Sequence, residues 1–214
     1  HMFRLFGRKK SEENDASHRI HDIPPGANWS FLGADMHSHM IPGIDDGSKT
    51  MEESLVMLRA MKELGYNTIV TTPHVMSDFY PNTLAIIEAG LLAVQQALKE
   101  NNIDIQLRAA AEYYIDENFM QLIEQEPLLT IYKNEVLVEF SMLYEPPMLN
   151  EVIYKLQSNG YKPIIAHPER YLFFHKYFDR YRDFKDRGCL LQMNMLSPTG
   201  HYGKSIKAVA DRLL

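Results

Sequence analysis

Two histidines stand two residues apart in the stretch Asp35-Met36-His37-Ser38-His39-Met40-Ile41-Pro42-Gly43-Ile44-Asp45-Asp46-Gly47. They come just after a short apolar run, Phe31-Leu32, where a strand is expected to end. Along a strand, residues i and i+2 share a face, so His37 and His39 would aim both imidazoles into one space. The turn from Pro42 to Gly47 brings Asp46 within reach of that space. Imidazoles with a carboxylate at a strand end suit zinc, iron or manganese. A bare His-x-His also occurs on solvated strands, so the reading depends on the rest of the chain.

Further candidates fall at the ends of other expected strands. His74 follows Asn67–Thr72 and Pro73, Glu112 follows Ile103–Ala111, Glu139 lies near the end of Glu135–Phe140, and His167 follows Lys162–Ala166. Any one of these alone fits an ordinary core histidine or a helix-capping carboxylate. Together with His37 and His39 they come from five separate strands. Clustered without cations, such groups would repel one another or cost several kcal/mol to desolvate. A mixed nitrogen and oxygen set with no thiolate favours zinc, manganese or iron over calcium or magnesium.

The elements that must position these residues alternate regularly. Thr50-Met51-Glu52-Glu53 is a capping-box pattern, and Leu55, Leu58 and Met61 follow at helical spacing until Gly65. Asn82-Thr83 can cap a second helix running to about Asn102. A short helix is expected near Asp116–Gln125, another over Pro146–Asn159 ending at Gly160, and a last one from Ser205. Cys189–Asn194 reads as a further strand. The order is strand–helix repeated about six times, which implies a parallel α/β sheet, open or closed into a barrel. Ligands of such sheets gather at the carboxyl ends of the strands.

Composition excludes several classes. The chain of 214 residues carries a net charge of −6, which argues against a nucleic-acid surface. Cys189 is its single cysteine, so an internal disulfide and a multi-cysteine zinc site are excluded, and a reducing cytoplasm is expected. No apolar stretch has membrane-spanning length; Glu88 interrupts the best one, Ala85 to Val94. Residues 1–28, opening with the cloning remnant His1-Met2 and containing Pro24-Pro25-Gly26, are expected to form a flexible tail, with His18 and His21 solvated. Residues 29–214 then form one domain.

His37 to Gly47, then Thr71-Thr72-Pro73-His74, Val138-Glu139-Phe140 and Ala166-His167-Pro168-Glu169-Arg170 resemble the polymerase-and-histidinol-phosphatase (PHP) superfamily. Within it they are similar to the bacterial protein-tyrosine phosphatases encoded with capsule and exopolysaccharide synthesis. The resemblance implies a distorted (β/α)7 barrel holding up to three divalent ions, manganese or iron first and zinc as the other option. Carried over by motif, His37, His39, Asp46, His74, Glu112, Glu139 and His167 would be metal ligands. Arg170 would hold a phosphate oxygen, since a guanidinium matches phosphate geometry. The family closes its site with an Asp-x-His motif on a last strand, and this sequence stops at Leu214 before any such motif. The barrel is therefore expected to lack its last strand segment, through a shortened chain or because another chain supplies it, and the chain as it stands to bind fewer metals and be inactive.

The chemistry so implied is hydrolysis of a phosphate ester by metal-activated water, with His74 or a second carboxylate moving the proton. Cysteine-dependent chemistry is excluded. It needs an Arg six residues after the nucleophile, and that position is Met195. The implied substrate is the phosphotyrosine tail of a membrane-bound bacterial tyrosine kinase. The alternatives are a small phosphate monoester such as histidinol phosphate, or binding of phosphotyrosine tails without hydrolysis. Phe79, Tyr80, Tyr113, Tyr114 and Tyr144 lie near strand ends and could stack on a phenyl ring, as core packing would also explain. Tyr171–Tyr181 reads as helical core, or as a partner surface for a homo-oligomer. His175 and His201 are assigned no role.

Overall fold

The computed structural model describes residues 28–214. The expected tail, with His1-Met2, His18 and His21, lies outside the described residues. Strands β1 (Ala34–Ser38), β2 (Thr68–Thr71), β3 (His74–Val75), β4 (Gln106–Ala109), β5 (Glu112–Tyr114), β6 (Glu135–Glu139), β7 (Lys162–Ala166) and β8 (Leu190–Gln192) are joined by helices. These are α1 (Met51–Glu63), α2 (Leu84–Glu100), α3 (Glu117–Gln125), α4 (Leu149–Ser158), α5 (Asp179–Asp186) and α6 (Lys204–Leu213).

All the strand pairs are parallel, in two sheets ordered β1-β2-β4 and β3-β5-β6-β7-β8. The short breaks at Thr72-Pro73 and Ala110-Ala111 explain the division. Each is a corner where one continuous strand leaves the first sheet and enters the second, so β2 with β3, and β4 with β5, are single strands bent once. Counted that way there are six strands, as the alternation implies. The expected barrel is corrected in one respect: among the described residues β1 and β8 do not pair, and the sheet stays open there. A second correction concerns Phe31-Leu32, which lie in a single 3-10 turn before β1 and are exposed.

Burial follows the pattern of parallel sheets covered by helices. Val136-Leu137-Val138 and Ile164-Ile165-Ala166 are continuous buried runs, as strands covered on both faces require. Thr50 caps α1 by accepting from the Glu53 amide (3.3 Å), while the Glu53 carboxylate accepts from Lys49 N–H rather than from the cap residue itself. Gly90 sits inside α2, where glycine costs roughly 0.5–1 kcal/mol relative to alanine. A Cβ there would lie 2.3 Å from Ile41 Cγ2. The gap anchors the loop after β1 on the helix.

Tyr171–Tyr181 is not one helix. Leu172–Phe174 form a 3-10 turn and α5 starts only at Asp179. Tyr171, Phe174 and Tyr181 are core, with Tyr171 stacked on Phe140 at 4.0 Å between centroids, and Leu172 and Tyr177 are exposed. Among the described residues no helix is long and apolar enough to cross a membrane.

Candidate metal centre

The loop after β1 is held at its root by Thr71. Its hydroxyl donates to the Ser38 carbonyl (2.9 Å) and accepts from the Met40 amide (2.8 Å). The chain then folds back tightly, with the Ser48 amide donating to the His39 carbonyl (3.3 Å). Gly47 permits this approach, since a Cβ there would stand 2.4 Å from that of His39. Asn82 fastens the loop to β3 by donating to the carbonyls of Ile44 (2.9 Å) and His74 (2.8 Å).

Glu112 is the hub of what these elements bring together. Its Oε2 lies 3.0 Å from His37 Nε2, 3.5 Å from His39 Nε2 and 3.3 Å from His74 Nδ1, and its Oε1 lies 3.0 Å from His167 Nε2. Glu139 approaches His74 Nδ1 (2.8 Å) and His167 Nε2 (3.6 Å), and Asp46 approaches His74 Nε2 (3.4 Å) at the exposed rim. His37, His39, Asp46, His74, Glu112, Glu139 and His167 therefore converge from β1, its loop, β3, β5, β6 and β7.

Burial opposes charge on these groups, and proximity outweighs it. Asp45 and Glu112 push the His39 imidazole up to about 10, and Glu112 and Glu139 push His167 up to about 9. The same contacts hold the Glu112 carboxyl well below the usual range and also lower Glu139, despite burial that would raise both. Protons on His39 and His167 thus offset part of the charge of these acids. His74 Nδ1 is buried beside Glu112 and Glu139, yet aligned for a hydrogen bond with neither. Three sets of donors each close enough to share one cation overlap here: His37, His39 and Glu112; His39, Asp46 and His74; His74, Glu112 and Glu139. The donor set fits divalent ions of the zinc, manganese and iron type.

Arg170 ends a 3-10 turn (Pro168–Arg170) that follows directly on His167, whose backbone is left-handed (φ +32°). Its guanidinium lies over the Tyr202 ring at 5.3 Å and makes no hydrogen bond or ion pair with a described residue. Of the aromatics named from sequence, Tyr80 stacks on His74 (5.5 Å) and Phe79 and Tyr144 are exposed. Tyr113 takes the core-packing alternative. It is buried, stacks on Phe119, and its hydroxyl accepts from the Leu129 amide (2.8 Å), because β5 turns it away from the strand ends into the helix layer. Cys189 is buried, as expected.

Three polar residues escaped the sequence reading. Asp45 accepts from His39 Nδ1 (2.7 Å) and from the amides of Gly47 (2.9 Å) and His74 (3.1 Å). In a turn, nothing in the sequence says which of two adjacent aspartates faces the imidazoles and which braces them. Gln192 ends β8 and meets His37 Nδ1 (2.7 Å); the strand-end criterion would have found it had amides been counted with acids and imidazoles. Glu169 is buried, and its carboxylate accepts from the Asn194 amide (2.9 Å) and the Ser197 hydroxyl (2.6 Å).

The family profile described as "Capsular polysaccharide synthesis, CpsB/CapC" matches residues 33–214. Tyrosine-protein phosphatase YwqE of Bacillus subtilis (strain 168) is 29% identical over 181 residues, covering 84% of this chain and 71% of that protein. Tyrosine-protein phosphatase CpsB of Streptococcus pneumoniae is also 29% identical over 181 residues, covering 83% of this chain and 74% of its own length. Among solved structures, one reported under the description of YwqE and CpsB as unique metal-dependent tyrosine phosphatases matches with a TM-score of 0.78 at 28% identity, over 84% of this chain and 73% of that one.

Proposed function

The chain belongs to the CpsB/CapC family of capsular polysaccharide synthesis, and we propose on that premise that it is a metal-dependent tyrosine phosphatase. The observation that carries the reading is Glu112, one buried carboxylate within 3.5 Å of four imidazoles from three separate segments. The parallel strands and the placing of the site at their carboxyl ends support a PHP-type barrel, with up to three ions held by His37, His39, Asp46, His74, Glu112, Glu139 and His167. The mixed imidazole and carboxylate set suits manganese, iron or zinc, and the family resemblance favours manganese and iron.

Divalent ions held by these residues would supply charge against the phosphoryl oxygens and lower the pKa of water so that hydroxide is available near neutral pH. The protein's own residues do the rest. Arg170, uncommitted to any acid among the described residues, binds a phosphoryl oxygen and orients the ester. A proton reaches the departing phenolate from His74 or from a second carboxylate at the exposed rim, where Asp46 lies beside His74 Nε2. Tyr80, stacked on His74, limits how that ring can turn. The exposed rings of Phe79 and Tyr144 offer flat surfaces to a substrate tyrosine.

The substrate we infer is a phosphotyrosine segment of a bacterial tyrosine kinase tail, met in the cytoplasm. A disordered tail can enter a rim site with only a few residues ordered. The test is turnover of a phosphotyrosine peptide against histidinol phosphate by the manganese-loaded protein. The account expects a clear preference for the peptide. A preference for histidinol phosphate would reassign the substrate to small monoesters, and binding of the peptide with no phosphate release would make the protein a non-catalytic binder.

A further inference from the structure

Gln192 makes four contacts through one amide, and two of them fix which way the amide points. The backbone N–H of His167 can only donate, and it faces Gln192 Oε1 (3.4 Å). The Met193 carbonyl can only accept, and it faces Nε2 (3.0 Å). The oxygen is therefore on the side of β1 and β7, and the nitrogen on the side of the loop after β8, where it also reaches Asn194 Oδ1 (3.3 Å). This orientation has a consequence for His37. Its Nδ1 stands 2.7 Å from Gln192 Oε1, an acceptor, so Nδ1 must carry a hydrogen.

We propose that Gln192 is a positioning residue for the metal centre, which rests on the phosphatase reading above. Its amide oxygen holds the proton of His37 on Nδ1 and so presents the Nε2 lone pair, beside Glu112 Oε2 (3.0 Å), as the metal-binding atom. His39 is braced in the same way at Nδ1, by Asp45 (2.7 Å). The imidazole at the end of β1 and the one in the loop just after it thus have unlike supports, a neutral amide for His37 and a carboxylate for His39. Gln192 also spans the open side of the fold, tying β8 to β1 through a side chain where the backbones do not pair. Its support is backed in turn. Asn194, which receives the amide nitrogen, donates its own N–H to the buried Glu169.

The test compares Gln192→Met, which keeps the length and removes the acceptor, with Gln192→Glu, which keeps an acceptor oxygen. Manganese binding to the metal-stripped proteins is measured by calorimetry, and kcat and KM are measured with a phosphotyrosine peptide. Gln192→Met is expected to weaken manganese binding about 10- to 100-fold and to lower kcat with KM nearly unchanged, and Gln192→Glu to restore most of the affinity. Wild-type affinity in Gln192→Met, or an equal loss in both variants, would overturn the proposal. An independent readout needs no variant: in zinc-loaded wild-type protein, the imidazole nitrogens of His37 are assigned by NMR. A protonated Nδ1 and a metal-bound Nε2 are expected, and the reverse pattern overturns the proposal whether or not the protein hydrolyses phosphotyrosine.

Discussion

His74 and Glu112 stand opposite each other in the parallel pair β3–β5, and their side chains meet, Nδ1 to Oε2, at 3.3 Å. Both are the first residue after a break at which a strand bends from one sheet into the other. The corner is what turns the two side chains inward together. It also makes Glu112 the point on which four imidazoles depend.

Substituting Glu112→Gln keeps the shape and removes the charge. Turnover of a phosphotyrosine peptide should fall by more than about 100-fold, beyond the loss typical of outer supporting partners, and bound manganese should fall with it. Elemental analysis of the purified variant beside a steady-state assay checks both.

Arg170 should act on binding more than on the centre itself. Arg170→Ala is expected to raise KM for the peptide about 10-fold or more with metal content unchanged, and Arg170→Lys should recover little, because an ammonium lacks the planar fork that fits a phosphoryl group. Equal loss of metal in Arg170→Ala would place the residue in the scaffold instead.

Asp45 is predicted to matter although it faces away from the shared space. Asp45→Asn should weaken manganese binding about 10- to 100-fold by removing the charge behind His39 Nδ1. Asp45→Ala should do worse, since the amides of Gly47 and His74 then lose their acceptor as well. Calorimetry on the metal-stripped proteins measures the order of the three.

Cys189 should be chemically silent at neutral pH. Burial pushes its thiol up to about 11 from an ordinary 9.0, so the folded protein keeps a proton that the unfolded chain releases first. Its contribution to stability is whole below pH 9 and is lost as pH rises through 11. Urea midpoints of wild type should therefore fall more steeply than those of Cys189→Ala between those values, and the variant should remain an active phosphatase. Loss of turnover in Cys189→Ala would restore the cysteine to the chemistry.

Much of this was legible because the fold is built from local signals. Thr50, Thr83 and Asp116 cap helices where their side chains suggest. Val136–Val138 and Ile164–Ala166 are apolar because both their faces are buried, one in the main core and the other against Val70, Ala110 and Ile131. The strand-end rule found every acid and imidazole that meets at Glu112. It failed where long-range packing decides. The corners before His74 and Glu112 carry no sequence mark beyond Pro73 and two alanines, and the division of labour between Asp45 and Asp46 depends on a turn that closes only through Gly47 and His74. Tyr113 stays open between substrate and core in the sequence for a similar reason: a strand three residues long gives no alternation from which to read a face.

The central claim is that these side chains hold cations that the reaction needs. The most direct measurement removes the metal from the full protein with a chelator, counts the ions lost per chain, and follows phosphate release from a phosphotyrosine peptide as manganese is returned. At least two ions per chain are expected for the three overlapping donor sets, with activity lost as they leave and regained in step with manganese bound. Phosphate release that continues unchanged in the stripped protein would contradict that claim.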